Sequence, residues 1–488
     1  MITTTVKSSA GWIWQRIKKR PLFFILIFSL ILRIFYLSLG NPLWWDSHVY
    51  VAMGKYIFSG GEIGLWESFR PLTHPLLLGA FWKLSFDPLI IGKLLDLIFS
   101  LASVYLTYLI GKKIFNEEVG LISSLLLSLT PLFIMLTGLI LTEPLAITFS
   151  LLGIYFFIDQ SNQFTSQPSK LKLFLAGFFV SLSFLTKFPQ GIIFAALILV
   201  LIIKKNSVLT KIKNISILTA GFLIPVIPYL IFNYFRYPSL LEPFIYGSWI
   251  VTTSTWAYGT GITYYLIQFF LHDWIYLFFF AYLYFFWKEK QWQNSNKTVI
   301  VTIIILFLLY FTFQVPRKEV RYLTTVLPFL TLTVAYALIK TYSKLKNEPK
   351  PILRPIAFVI ICILIITVRI PTSLNFEAVP TFEQEIMKTI DDYNITKPIM
   401  ATDPSFVSFT NQPVILLNAG LEFGPVIYRE NKNKYGLLFF NTCDLRCPPT
   451  NQTCLTKKEQ FQQLISSENK EVFRKAYKNC TYYLYLPE

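Results

Sequence analysis

The chain has 488 residues, 54% hydrophobic, 17% aromatic and only 15% charged, with a mean hydropathy of +0.52. Soluble proteins carry about a quarter charged residues, so this composition with its long apolar runs excludes a single aqueous core and defines a multi-span membrane protein. The net charge of +17 does not point to nucleic acid, because Lys and Arg fall in short clusters between apolar runs rather than on one face.

In chain order, Arg16, Lys18, Lys19 and Arg20 precede the run Pro21–Leu39, which is long enough to span and has no small-residue cleavage site after it. This predicts a retained first helix with a cytoplasmic N-terminus. Further basic clusters fall at Lys112 and Lys113, Lys170 and Lys172, Lys204 to Lys213, Lys288 to Lys297 and Lys340 to Arg354. Counting apolar runs predicts about eleven transmembrane helices, starting near 21, 89, 119, 143, 171, 189, 215, 266, 298, 322 and 355. Every one of these basic clusters then lies on the inner side, and an odd number of spans puts the C-terminus outside. No internal repeat of the kind that marks many transporters is visible.

Two outer loops are expected, at 40–88 and 236–265, within a membrane domain of residues 1–370. Residues 371–488 read as a small extracytoplasmic α/β domain. Its predicted strands are Pro398–Ala401, Pro413–Leu417, Gly436–Phe440 and Tyr482–Leu486, with helical patterns at Lys457–Ser466 and Lys470–Lys478. Cys443, Cys447, Cys454 and Cys480 lie here and fit two disulfides in any of three pairings; free thiols or a metal site are the alternatives. Asn394, Asn451 and Asn479 begin N-x-Thr sequons in the same domain. Cys362 lies in a predicted span.

Several charged residues stand out against this background. Asp46 follows Trp44 and Trp45 at the exit of the first span and opens an amphipathic pattern through Ile57. A helix N-terminus favours an ionised carboxylate, which is a general base; the plain alternative is a solvated loop between interfacial tryptophans. Arg70 and His74 each precede a proline at the mouth of the next span. They suit a phosphate clamp, or simply a charged loop. Glu143 sits within an apolar stretch, where an acid is costly and by default functional, although its neighbour Pro144 also suits a mere helix-start charge. Lys187 lies in a short break between spans, where a lysine snorkels or meets an anionic head group. Arg317, Lys318, Glu319 and Arg321 form an outward turn that breaks the inside bias. They suit a phosphate site or an Arg–Glu surface pair. Trp249, Trp256, Tyr258, Tyr264 and Tyr265 supply aromatic faces for sugar rings.

These residues carry a resemblance. An acid opens the first outer loop (Asp46). Thr73-His74-Pro75-Leu76 is similar to an HPPL element, Thr142-Glu143-Pro144 to a T-D/E-P element, and Ser181–Lys187 to a GLxxLTK element. Arg317-Lys318-Glu319-Val320-Arg321-Tyr322 resembles the HKExRF motif of lipid-linked-oligosaccharide and GPI mannosyltransferases, as does the outer stretch YGTGITYYLIQF (258–269). Over about residues 20–370 the chain resembles the GT-C superfamily of polyprenyl-phosphate-sugar-dependent glycosyltransferases. Within it, the chain looks like the dolichyl-phosphate-mannose type related to protein O-mannosyltransferases and bacterial aminoarabinose transferases. Ser47 stands where many relatives carry a second acid, Arg317 replaces the first histidine of HKExRF, and Leu76 replaces a proline of HPPL.

The resemblance implies an inverting glycosyltransferase whose donor is a sugar, such as mannose, on a polyprenyl or dolichyl monophosphate. The implied acceptor is a glycolipid, lipid-linked oligosaccharide or protein on the outer side. Asp46 is the implied base. Glu143 is a second candidate acid that orients the acceptor or the Asp46 helix, or assists a divalent metal ion. His74 and Arg321, with Arg70, Lys187 and Lys318 behind them, are the implied phosphate ligands. Trp45, His48, Tyr50, Trp256, Tyr258 and Tyr264 are the implied substrate contacts. No glycine-rich nucleotide loop is present, and neither an organic cofactor nor nucleic acid is expected. The implied location is a prokaryotic plasma membrane, archaeal in view of the threonine sequons, or the ER membrane in a eukaryote. A transporter or flippase for a lipid-linked sugar, and a receptor with a disulfide-bonded ectodomain, are the competing classes.

Overall fold

The computed structural model describes residues 19–40, 43–158, 169–252, 255, 258–346, 383–417, 420–448, 450–477 and 479–488. Helices follow in the order α1 (Pro21–Ser38), α2 (Trp45–Phe58), α3 (Thr73–Lys83), α4 (Pro88–Ile114), α5 (Glu117–Leu129), α6 (Thr142–Phe157) and α7 (Lys170–Thr186). Next come α8 (Gly191–Ile203), α9 (Val208–Arg236), α10 (Glu242–Ile250), α11 (Tyr264–Asp273), α12 (Phe278–Lys288), α13 (Ser295–Leu309) and α14 (Leu327–Lys346). Local chemistry sets the ends. Pro21 starts α1, where its fixed φ suits the first helical position. The Asn116 side chain caps α5 and that of Asn294 caps α13. Thr130, extended ahead of Pro131, stops α5.

Among the described residues five helical segments are long and apolar enough to cross a membrane: Pro21–Ser38, Pro88–Ile114, Val208–Arg236, Ser295–Gln314 and Val320–Lys344. Shorter apolar helices cover Thr142–Phe157, Phe188–Ile203 and Trp274–Lys288. The run expected near 119 is cut by Pro131, and the one near 266 is divided between α11 and the segment beginning at Trp274. The span expected near 355 lies outside the described residues, as do Cys362 and Trp256.

The chain packs as two compact units. One holds α1, most of α4, and α5 to α14. Its central element is Val320–Lys344, most of whose residues are buried, while in Pro21–Ser38 only Ser29, Arg33 and Tyr36 are buried and Phe23, Ile31 and Phe35 turn outward. Exposed apolar side chains on a helix with satisfied backbone are what a lipid-facing span requires.

The second unit combines α2, α3 and residues 139–141 with the C-terminal segment. That segment forms α15 (Glu383–Asp392), β1 (Ile399–Ala401), β2 (Val414–Leu416), α16 (Gly420–Asn431), β3 (Leu437–Asn441), α17 (Gln452–Ser467), β4 (Asn469–Tyr477) and β5 (Cys480–Pro487). The sheet order is β2-β1-β3-β5-β4, parallel from β2 to β3 and antiparallel beyond. Within Lys470–Lys478, expected as a helix, residues 470–477 lie instead in β4: the backbone of that strand pairs along the length of β5, and that pairing overrides a weak local preference.

Alternation puts the two faces of the sheet into two cores. Met400, Leu438, Phe440, Tyr483 and Tyr485 meet Tyr428 of α16 and Phe461 and Ile465 of α17. Ile399, Ala401, Leu437, Phe439, Tyr482 and Leu484 meet Val49, Ala52 and Met53 of α2, with Leu65. The first outer loop, expected to accompany the membrane domain, therefore supplies one wall of the C-terminal sheet. Gly64 completes the join. It pairs with the β2 edge through Gln412 O (3.3 Å) and Val414 N (3.1 Å). Its φ is +90°, and a Cβ there would sit 2.2 Å from Ala52 O, so only glycine fits. The cysteines pair as Cys443–Cys480, joining the end of β3 to β5, and Cys447–Cys454, closing a short loop ahead of α17.

Candidate active site

Asp46 lies in the first turn of α2. The turn is built by Ser47, whose Oγ accepts the Trp44 N–H at 3.2 Å and donates to Leu139 O, so the position that lacks a second acid is a buried cap. Arg70 reaches Asp46 Oδ1 with Nη2 at 2.7 Å, Glu67 Oε2 with Nε at 2.8 Å and the Tyr50 hydroxyl with Nη1 at 3.4 Å. Its guanidinium also stacks over the rings of Phe69 and Tyr50. Burial works against the Arg70 charge, but Asp46, Glu67 and Tyr50 outweigh it and hold its pKa well above the ordinary value. The side chains of all three charged residues are 14% exposed, buried enough for the pairs to matter and open enough to meet a ligand.

Arg70, expected as a phosphate clamp, is thus committed to two carboxylates and orients Asp46. His74 is 1% exposed and packs edge-on against Tyr50 at 5.5 Å, a core contact rather than an exposed clamp. His48 is equally buried, 3% exposed, with Nδ1 2.8 Å from Ser408 Oγ; burial pushes its pKa down to about 3. Tyr50 is buried beneath Arg70, and Trp45 packs on the sheet core. Glu67 is the residue that sequence reasoning missed here. Its signal was the spacing of three residues to Arg70.

The other unit holds a second set. Glu143, in the first turn of α6 and 2% exposed in its side chain, receives Lys187 Nζ on Oε1 at 2.7 Å and the Thr142 hydroxyl on Oε2 at 3.3 Å. The TEP and LTK elements therefore meet as a buried ion pair. Lys187 also lies 5.7 Å from the centre of the Tyr322 ring. The Tyr322 hydroxyl donates to Glu319 Oε1 at 3.0 Å, and Glu319 receives Arg317 Nε at 2.7 Å and Arg321 Nε at 2.6 Å. Arg317 stacks 3.5 Å over Tyr258. Gly259 and Lys318 exchange both backbone bonds, at 3.1 and 3.0 Å, which fastens the stretch around Tyr258 to the 317–321 turn. Tyr264 and Tyr265 follow on α11, edge to face.

Lys318, expected as a phosphate ligand, directs its three N–H bonds to the carbonyls of Phe311, Thr312 and Val315, each at 2.8 Å, and so caps the segment before the turn. Arg317 and Arg321 both pair with the Glu319 carboxylate. The cluster is therefore an Arg–Glu–Arg fork suited to an anion. An ammonium already holds Glu143, and among the described residues no three His, Cys, Asp or Glu side chains gather to hold a metal ion. Arg33, in α1, is a further intramembrane charge that sequence reasoning passed over. Fully buried, it donates to Ser100 Oγ and Ser29 Oγ, each at 2.5 Å.

Residues 70–232 match the family model described as dolichyl-phosphate-mannose-protein mannosyltransferase; the match takes in Arg70, His74, Glu143 and Lys187. No curated protein sequence matches the chain. Among solved structures, ArnT from Cupriavidus metallidurans bound to undecaprenyl phosphate aligns at TM-score 0.64 and 11% identity, over 95% of this chain and 97% of that one. The archaeal oligosaccharyltransferase AglB from Archaeoglobus fulgidus, in complex with an inhibitory peptide and a dolichol-phosphate, aligns at 0.58 and 12% identity, over 96% and 74%. The arabinofuranosyltransferase AftD from Mycobacteria aligns at 0.53 and 12% identity, over 96% and 41%. The class these define is a polytopic α-helical membrane protein with a small C-terminal sheet domain. The chain has the fold of the GT-C superfamily of glycosyltransferases.

Proposed function

We propose that the protein is an integral-membrane inverting glycosyltransferase that moves a sugar, mannose as the first candidate, from a polyprenyl monophosphate to an acceptor hydroxyl outside the cytoplasm. The observation that carries this reading is Asp46, a partly exposed carboxylate fixed in a helix first turn by Arg70 at 2.7 Å. The two similar solved structures that hold undecaprenyl phosphate and dolichol-phosphate support the donor class.

In the proposed step the acceptor oxygen attacks the anomeric carbon and its proton passes to Asp46. The bond from that carbon to the phosphate oxygen breaks, and the lipid phosphate leaves with the electron pair. Separately, on the chemistry of its own cluster, the Arg317–Glu319–Arg321 fork is proposed to bind a phosphate, because planar guanidiniums held by Glu319 suit that group. Glu143 is proposed as a second functional acid and Lys187, which it holds at 2.7 Å, as a further cation for a phosphate. Each role rests on the chemistry of its own cluster.

The test is transfer in proteoliposomes from radiolabelled dolichyl-phosphate-mannose to a glycolipid extract. Asp46→Asn is expected to lower transfer by about 10²–10⁴-fold while the protein remains folded. Equal transfer by both proteins removes Asp46 from the chemistry. Translocation of the labelled lipid without transfer would favour a flippase.

A further inference from the structure

Asp46 and Lys55 occupy the first and last turns of α2. A lysine at a helix C-terminus ordinarily extends into solvent near the last carbonyls. Lys55 is instead 3% exposed, and its Nζ donates to the carbonyls of Val407 (3.1 Å), Ser408 (3.0 Å) and Thr410 (2.9 Å). Three bonds exhaust the ammonium. His48 stands seven residues earlier, hence on the same helix face, and meets Ser408 Oγ at 2.8 Å. The receiving segment follows β1 as the short helical turn Ser405–Ser408.

A buried ammonium is a costly way to join two elements, since a leucine or methionine would pack there without desolvating a charge. What the three carbonyls add is direction. Two polar anchors about two turns apart add directional resistance to rotation of the helix about its axis and to sliding along it, beyond the apolar packing of Val49, Ala52 and Met53. Asp46 lies two residues before His48, so its carboxylate inherits that constraint. A general base displaced by about 1 Å forfeits about two orders of magnitude in rate.

We propose that Lys55 and His48 are positioning residues for Asp46: segment 405–410 of the C-terminal domain clamps α2 through them and so sets the orientation of the helix that carries the base. This rests on the assignment of Asp46 as the base.

The experiment uses the full chain in proteoliposomes, with dolichyl-phosphate-mannose as the varied substrate. Lys55→Met, Ser408→Ala and Asp46→Asn are compared with wild type, and hydrogen exchange is followed across residues 45–58. Lys55→Met is expected to lower kcat about tenfold or more with donor KM within about twofold, the split produced by a misplaced base rather than lost binding. Exchange across 45–58 is expected to quicken about tenfold, with α9 and α14 unchanged. Wild-type kcat and unchanged exchange in Lys55→Met would overturn the proposal. Should that variant fail to fold, Ser408→Ala, which removes one hydroxyl, decides on the same two readouts. Its expected loss in kcat is about threefold; no change in either overturns the clamp. Full transfer by Asp46→Asn would remove the base assignment alone. Exchange across 45–58 then decides the clamp: faster sustains it, unchanged overturns it.

Discussion

At the scale of residues, each cation singled out around the candidate site has a definite partner. Arg70 bridges Asp46 and Glu67, Lys187 meets Glu143, and Arg317 and Arg321 share Glu319. Arg70 is the most constrained of them. A lysine is a single point charge and cannot span two carboxylates in the manner of a planar fork. Arg70→Lys is therefore expected to lower kcat about tenfold or more, read by steady-state transfer with Asp46→Asn as the floor. His48 makes a different prediction. Its pKa falls from 6.5 to about 3 on folding because burial disfavours the charge. Between those values the unfolded chain holds a proton that the folded chain does not, so stability declines on acidification below pH 6.5 and is flat above. The slope is at most about 1.4 kcal/mol per pH unit. Melting curves from pH 7.5 to 4 should show it in wild type and show it diminished in His48→Gln.

At the scale of elements, the join between the first outer loop and the sheet rests on backbone as much as on side chains. Gly64 pairs with the β2 edge while lying against Ala52 O of α2. Gly64→Ala would bring both an unfavourable φ and a backbone clash, with an expected cost of about 2–4 kcal/mol. Thermal unfolding with intrinsic tryptophan fluorescence checks it: Trp45 and Trp66 both pack on this core. An unchanged midpoint would mean that the loop is not part of the sheet's cooperative unit. β4 carries a related lesson. Its residues suit a helix locally, yet eight of them pair with β5, and the backbone bonds of a paired strand decide.

At the scale of the molecule, the C-terminal segment lacks one wall of its own core. Residues 383–488 expressed alone would leave Ile399, Ala401, Leu437, Phe439 and Leu484 without the cover that α2 provides. The expected product aggregates or binds a hydrophobic dye and shows weak near-UV circular dichroism. Fusing residues 43–94 to it is expected to restore a dispersed tertiary signal. A well-folded isolated tail would show instead that α15 with its own strands suffices.

The sequence by itself determined the membrane class, most of the helix positions and the charged residues worth suspecting. Apolar runs of spanning length and acids at membrane depth are local signals, and their physics needs no knowledge of what lies nearby. The same locality explains what it could not decide. Strand alternation announced two apolar faces on β3 without saying that α2, more than three hundred residues earlier, covers one of them. Four cysteines allowed three pairings, and only the placement of β3 beside β5 selects Cys443 with Cys480. Lys318 and His74 matched motifs, yet carbonyls surround the one and Tyr50 covers the other. Glu67, unremarkable in the sequence, becomes Asp46's companion through Arg70. A periodicity reports which side of an element avoids water; which partner excludes that water is a long-range choice that only the packed chain makes.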